Sequence, residues 1–566
     1  MPPTIALIGS EYEENLSLRY LASSVALDGV ESVLVPFNEA GRLANVVSEV
    51  MRVDPFLVGI SVPFQSRAPE CLALAATLRR AGSQAHLTLG GHFATFEYDN
   101  ILRHCPAVDS VVRHEGESTL RELCGRLLRG EVLAPLSGAI VRGPDGPVDG
   151  GKRRLTALDD LPFPDRRGTP REVMGIRVAP LVGSRGCYAD CSFCCIYAYA
   201  ENADGARYRR RSVESIADEM AREYHGRGTR LFVFHDDNFF VPSADQNLRR
   251  YSRLKELLDA AGVADIGLVI KCRPNDVTPD LFALLKSMGL MRAYVGIETN
   301  SDEGIVSLNR RITAEDNRRA LSILRALEVH LTFNVLIFDP EATLEGIERN
   351  IEFIEAFSDI PSNFCRAEVY AGTPLKEMLE RDGRLQGNYL AWNYSMRDPR
   401  VEVLFRMAVT VFAARNFRHD GVANLNMGIR GDNELMRRFY PAGWDRAWND
   451  RLVDYSRRIT SDSMAVLGEM LAFARADGSR DAARVKGLTA SLARRVARAD
   501  LAFVNECRAL RRELEGRIRQ RAGIHFDSAF VDEMAPWAAE TGRFGSSVGL
   551  EVSTELLPAP LSLRPE

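Results

Sequence analysis

The sequence predicts an α/β chain: a Rossmann-like doubly wound domain, then a partial (β/α)6 barrel, then a helical C-terminal domain. Three observations carry this. Short apolar runs alternate with helical spacings twice over, on either side of a proline-rich break, and such alternation implies parallel sheets. A short loop at the start of the second array gathers Cys187, Cys191 and Cys194. From about residue 386 the strand patterns vanish, and apolar residues recur at intervals of three and four. The expected boundaries are 1–145, a linker at 146–178, a barrel at 179–385 and the helical domain at 386–566.

Composition bounds the function. A chain of 566 residues holds roughly two to four domains. Hydrophobic residues at 46% and charged residues at 26% fit a soluble globular protein. The net charge of -5 argues against a dedicated nucleic-acid binder, so no nucleic-acid partner is expected. Ten cysteines in such a length are not a disulfide framework, and reduced thiols point to the cytoplasm. The start, Met1-Pro-Pro-Thr-Ile, lacks the basic region and apolar run of a leader. No stretch of about 18 apolar residues offers a membrane span.

In the first array, Thr4–Ile8, Val33–Pro36, Phe56–Ser61, Ala85–Leu89 and Ser110–Val112 read as strands. Leu16–Leu27, Cys71–Arg80 and Glu117–Leu128 read as helices. Ligands in such sheets bind beyond the carboxyl ends of the strands. The loops there begin at Gly9, Ser61, Gly90 and Arg113.

The cysteines follow the apolar run Ala179–Gly183 with the spacing C-x3-C-x2-C, and Phe193 precedes the last one. Three thiolates in one loop suit a four-iron cluster with one iron left open. A zinc site, which usually takes four ligands in separated pairs, and buried structural cysteines are the alternatives. Cys195 is read as a packing cysteine, since adjacent side chains diverge.

This loop resembles the signature of the radical S-adenosylmethionine (SAM) enzymes, C-x3-C-x-aromatic-C. The resemblance implies a [4Fe-4S] cluster on Cys187, Cys191 and Cys194, with SAM on the open iron. It implies reductive cleavage of SAM to a 5′-deoxyadenosyl radical, with electrons from an external donor of flavodoxin or ferredoxin type.

The first array in turn resembles the cobalamin-binding domain that precedes many radical SAM enzymes, the class B methyltransferases among them. Ser61, the Gly90–Gly91 pair and His114-Glu-Gly-Glu-Ser-Thr119, which is similar to G-E-G-E-x-T, carry that likeness. Ser61, Gly90, Gly91 and Glu117 are the implied cobalamin contacts. Glycines let backbone approach a flat ring without a side-chain clash, and Ser61 offers a hydroxyl. The D-x-H-x-x-G motif that places a histidine on cobalt is missing, because Gly9 to Tyr20 contains no histidine. His92 and His114 lie on later loops.

The segment 146–178 is rich in Gly, Pro, Arg and Asp and reads as an extended connector. After it, strands are expected at Ala179–Gly183, Arg230–His235, Ile266–Ile270, Ala293–Ile297, Leu331–Ile337 and Arg366–Tyr370, with a helix from Val213. Chemistry in βα barrels sits on loops at the carboxyl ends of the strands. The resemblance implies that Asp236, Asp237 and Asn238 receive the SAM ammonium and Glu298 the ribose diol, while Arg273 neutralises the SAM carboxylate. Helix capping is the ordinary reading of each acid. Asp339 departs from the related fifth-strand pattern. Cys272 and Cys365 read as core thiols. The arginines of Tyr208-Arg-Arg-Arg-Ser212 either face anionic groups or form a solvated basic turn.

The clearest C-terminal helix runs Leu488, Leu492, Val496, Ala499, Phe503, Cys507, Leu510, Leu514, Ile518. Arg494, Arg495, Arg498, Arg511, Arg512, Arg517 and Arg519 decorate its other faces, read as solvated. Pro558–Glu566 reads as a frayed tail. The resemblance covers roughly residues 1 to 385. It implies cobalamin-dependent methylation of an unactivated carbon in a small-molecule or peptide substrate. A radical reaction without methyl transfer, or an iron–sulfur protein without catalysis, are the alternatives.

Overall fold

The computed structural model describes residues 2–476 and 481–522. The first array forms a seven-stranded sheet. Glu31–Pro36, Thr4–Gly9, Leu57–Ser61, His86–Gly90 and Ser110–Val112 lie side by side in parallel. Alternation along the first strand divides two cores. Ile5 and Leu7 pack with Leu18, Val25 and Leu120 on one face. Ala6 and Ile8 pack with Val46, Leu74 and Ile101 on the other. Two helices escaped the sequence reading. Leu43–Val53 follows directly on a short 3-10 turn, and His92–His104 begins immediately after the Gly90–Gly91 pair, which had read as loop.

The connector is not a free extended link. Ala139–Gly143 and Gly146–Asp149 form a hairpin that extends the first sheet. Arg171–Val173 joins the second sheet as its edge. Between them Arg166 is buried, donating to Glu14 at 2.6 Å, to Glu219 at 2.9 Å and to the Pro180 carbonyl at 2.6 Å. A buried guanidinium needs such partners, and these come from both arrays, so the connector staples one to the other.

The second sheet also has seven strands. Ile176–Leu181, Leu231–Phe234, Gly267–Cys272, Leu290–Val295, His330–Phe338 and Ser362–Arg366 are parallel, and only the edge Arg171–Val173 is antiparallel. This is the expected partial (β/α)6 barrel. The sixth strand ends at Arg366 rather than starting there. Its partner strand sets that register, with Phe333 opposite Ser362. Glu368 and Tyr370 therefore lie on the loop beyond it, at the mouth.

The two faces of the barrel sheet are covered differently. Phe232, Phe234, Leu268, Ile270 and Val295 pack against Ile216, Leu254 and Leu321 of the surrounding helices. Leu231, Val233, Val269 and Met291 pack against Val422, Ile429 and Leu435 of the C-terminal helix Val422–Phe439. The helical domain thus covers the other face of the sheet. Ile429 and Leu452 are 0% exposed, and burying each such side chain contributes about 1.5–3 kcal/mol. The long helix Ala482–Ala522 spans 41 residues. Along it Arg494, Arg495, Arg498, Arg512 and Arg519 are exposed as expected, but Arg511 is buried and Arg517 pairs with Glu513 and Asp445. A hairpin, Leu385–Asn388 with Ala391–Tyr394, interrupts the helical region. Pro558–Glu566 lies outside the described residues. Among the described residues no helix is long and apolar enough to cross a membrane.

Candidate functional site

The cysteine loop hangs between two fixed points. Ahead of it, Ser184–Gly186 pairs antiparallel with Tyr208–Arg210. Gly186 has φ +81°, and a Cβ there would lie 1.9 Å from the Arg207 carbonyl, so only glycine lets the loop start here. After it, Cys194 caps the helix Cys195–Asn202. Cys191 is buried, and two guanidiniums donate to its Sγ, Arg273 at 3.2 Å and Arg310 at 3.1 Å. Arg273 and Arg310 are 7% and 3% exposed. Two buried cations on one sulfur fit an anionic sulfur group. Among the described residues no three His, Cys, Asp or Glu side chains converge on a point that holds one metal ion. The charged groups acting on Cys195 are Asp237 and Glu368.

Of the strand-end acids, Asp237 lines the cavity described below, and Glu298 is not among its lining residues. Asp236 is buried and accepts from Gly183 N–H at 2.9 Å and Ser184 Oγ at 2.6 Å. Asn238 donates to the Phe240 carbonyl at 2.9 Å and to Asp276 at 3.1 Å. Both hold the loop rather than facing open space. Asp237 is exposed to the cavity and accepts from Gly186 N–H at 3.0 Å. Burial pushes its carboxyl up to about 6 against the pull of Lys271. Glu298 stands in the left-handed region at φ 63°, a conformation that costs a non-glycine residue about 1–3 kcal/mol. Burial raises its carboxyl while Arg310 and Arg273 oppose this. Arg273 lies against Cys191, so the cation assigned to SAM touches the cluster loop itself. Asp339 is buried and accepts from Glu341 N–H at 3.0 Å, an internal cap.

One cavity of about 500 Å³ joins the two arrays. Ser61, Gly90, Gly91, His92, His114 and Glu117 line it from the first array, and Ser184, Arg185, Gly186, Tyr199, Asp237, Glu368 and Tyr370 from the barrel. Gly91 is required for a different reason than the one expected. With φ +105° and ψ 178° it occupies a region open essentially only to glycine, and a Cβ there would lie 2.8 Å from the Val62 carbonyl. Gly90 has ordinary space, its nearest neighbour being the Val112 carbonyl at 3.6 Å. Glu117 spends its carboxylate on the barrel, pairing with Arg185 at 2.7 Å. Glu115 pairs with the same Arg185 at 2.9 Å and also with Arg209. The basic run therefore is not a solvated turn: Arg209 meets Glu115, and Arg211 is buried on Glu219. Burial lowers the imidazoles of His92 and His114 to about 4, so both are neutral near pH 7.

Four contacts were invisible to the sequence reading: Arg185 with Glu117, Arg310 on Cys191, Tyr199 against His92, and His235 with Glu13 at 3.3 Å. Arg185 stands two residues before Cys187, and an arginine in a loop carries no local signal of its partner.

Comparison with known proteins agrees with this architecture. Residues 7–124 match the B12 binding domain and residues 181–354 match the radical SAM superfamily. An uncharacterized methyltransferase of Pyrococcus horikoshii is 26% identical over 450 residues, covering 75% of this chain and 94% of that protein. The hopanoid C-3 methylase of Methylococcus capsulatus is 26% identical over 344 residues, covering 59% and 63%. The fold is similar to that of the cobalamin-dependent SAM radical enzyme OxsB with aqua-cobalamin bound, with a TM-score of 0.66 at 16% identity, covering 96% of this chain and 84% of that one.

The chain is a radical SAM enzyme that carries a B12 binding domain. Its cofactors are a [4Fe-4S] cluster, SAM and cobalamin, and its relatives include methyltransferases.

Proposed function

We propose that this enzyme methylates an unactivated carbon of a natural-product or peptide substrate. The observation that carries the reading is the shared cavity: Ser61, Gly90 and Gly91 line the same space as Asp237 and Gly186 of the barrel mouth. When bound, the cluster and SAM supply hydrogen abstraction, and cobalamin supplies a transferable methyl group.

The chain's own residues bind, orient and exclude water. Cys187, Cys191 and Cys194 would hold the cluster, with Arg273 and Arg310 balancing its charge at Cys191. Asp237 is the acid of the second-strand loop that is open to the cavity, so it is assigned the SAM ammonium. Glu298 is assigned the ribose diol; burial raises its carboxyl, and Arg310 and Arg273 oppose that rise. Asp236 and Asn238 act through the loop they brace. Glu115 and Glu117 close the cavity wall against Arg185 and Arg209.

The test is anaerobic reconstitution with cobalamin and SAM, reading 5′-deoxyadenosine and the mass of the converted substrate. A gain of one methylene supports methylation. Conversion with 5′-deoxyadenosine but without that gain supports cyclisation, rearrangement or oxidation instead. Electron delivery by a flavodoxin- or ferredoxin-type donor is part of the same proposal, and a reaction with such a donor replacing dithionite tests it.

A further inference from the structure

The helix that leaves the cysteine loop ends inside the first domain's binding loops. Cys194 is its N-cap residue, and the Cys194 carbonyl accepts from Ala198 N–H at 3.3 Å. The helix Cys195–Asn202 then carries Tyr199 to a place between two imidazoles. The Tyr199 ring lies 4.2 Å from His92, tilted by 40°, and 5.1 Å from His114, near edge-on at 62°. His92 opens the helix that follows Gly91. His114 opens His-Glu-Gly-Glu and stands in the left-handed region at φ 58°. These two loops are tied to each other, since His114 N–H donates to Thr95 Oγ1 at 2.9 Å.

We infer that Tyr199 is a positioning residue that couples the two cofactor sites: ordering the cluster loop orders the cobalamin-binding loops, and the reverse. This rests on the reading of the first domain as the cobalamin site. The physical route is short. A cluster bound at Cys194 fixes the residue from which the helix starts. An eight-residue helix is marginal by itself, because nucleation is unfavourable and isolated short helices do not hold in water. Its position therefore depends on what anchors its two ends. At one end the anchor is Cys194. At the other it is the ring contact with His92 and His114, both uncharged near pH 7, so the contact is one of packing rather than ion pairing. Arg185, on the strand that enters the cysteine loop, meets the same His114-to-Thr119 loop through Glu115 and Glu117. The cysteine loop is thus held by the first domain on both its entry and its exit.

Coupling of this kind is reciprocal. If the cluster raises the affinity for cobalamin, cobalamin raises the retention of the cluster by the same factor. The probe is hydroxocobalamin, titrated anaerobically by equilibrium dialysis into the full chain before and after cluster reconstitution. The native chain is expected to bind at least about fivefold more tightly once the cluster is in place. Tyr199→Leu, which keeps a buried apolar side chain, should bring that ratio to about one with unchanged iron content. Tyr199→Phe should give an intermediate ratio, because the ring contacts with His92 and His114 remain while the hydrogen bond between the Tyr199 hydroxyl and Thr95 is lost. A native chain with equal affinity in both states would overturn the coupling. A Tyr199→Leu chain that keeps the native ratio would show that Tyr199 does not carry it. No hydroxocobalamin binding by any form would overturn the cobalamin reading of the first domain, and the coupling with it.

Discussion

Arg185 donates to Glu117 at 2.7 Å, joining the strand that enters the cysteine loop to the loop that opens the last helix of the first domain. Both side chains are largely buried, at 19% and 8% exposed. Removing one partner of such a pair leaves a buried charge and costs about 3–5 kcal/mol. Arg185→Ala should therefore loosen the domain interface, seen as faster amide exchange across residues 113–119.

The same pair gives a pH dependence. Burial pushes the Glu117 carboxyl up, but Arg185 and Arg209 outweigh it and hold the group below its ordinary 4.5. A depressed carboxyl contributes stability that is present above its unfolded value and lost as pH falls through the folded one. The interface should stay protected from neutral pH down to about 4.5 and open below that. Glu117→Gln should remove the acid-dependent step. An interface that opens between pH 7 and 6 in the native chain would count against this pair as the determinant.

Cys187→Ala, Cys191→Ala and Cys194→Ala should each abolish iron retention and SAM cleavage. Cys195→Ala should leave both largely intact, since only Cys187, Cys191 and Cys194 fit the C-x3-C-x2-C spacing. Iron per chain and the visible absorption of reconstituted protein decide this. Loss of iron in Cys195→Ala equal to that of the others would reassign the ligands.

Gly91→Ala should destabilise the first domain by about 1–3 kcal/mol, through a backbone conformation that alanine resists and a clash with the Val62 carbonyl. Gly90→Ala should be tolerated, its Cβ meeting only ordinary contacts. Amide exchange in His86–Gly90 separates the two, and equal protection in both variants would contradict the distinction.

Glu298→Gly should relieve the left-handed strain yet lose SAM affinity, whereas Glu298→Gln should keep the strain and also lose affinity, by about tenfold if one charge-assisted bond worth about 1.4 kcal/mol goes. SAM binding by equilibrium dialysis to cluster-loaded protein reads both. Native affinity in Glu298→Gln would remove this carboxylate from the SAM site.

What the sequence made legible follows its periodicity. Leu231–Phe234 is a continuous apolar run, and runs of that kind belong to parallel sheets covered on both faces. The cysteine spacing is local, so one loop suffices to read it. Contacts between distant loops left no local trace. Nothing near Glu117 announces Arg185, and nothing near Tyr199 announces His92. The acids of the second-strand loop illustrate the same point. Asp236, Asp237 and Asn238 are adjacent in sequence, yet only the fold decides that Asp236 and Asn238 turn inward on Ser184 and Asp276 while Asp237 faces the cavity. The sequence puts the sixth strand four residues late because Arg366-Ala-Glu-Val-Tyr370 also alternates, and the pairing with His330–Phe338 resolves it.

The central claim is that the cobalamin loops share one cavity with Asp237 and with Ser184 to Gly186, which lead into the cysteine loop. Electron paramagnetic resonance of the doubly loaded chain, with cobalamin as cob(II)alamin and the cluster reduced, tests it most directly. The account predicts a cob(II)alamin signal broadened and relaxed faster by the neighbouring cluster, an effect absent when Cys187, Cys191 and Cys194 are replaced together. A cob(II)alamin signal unchanged by the presence of the reduced cluster would contradict it.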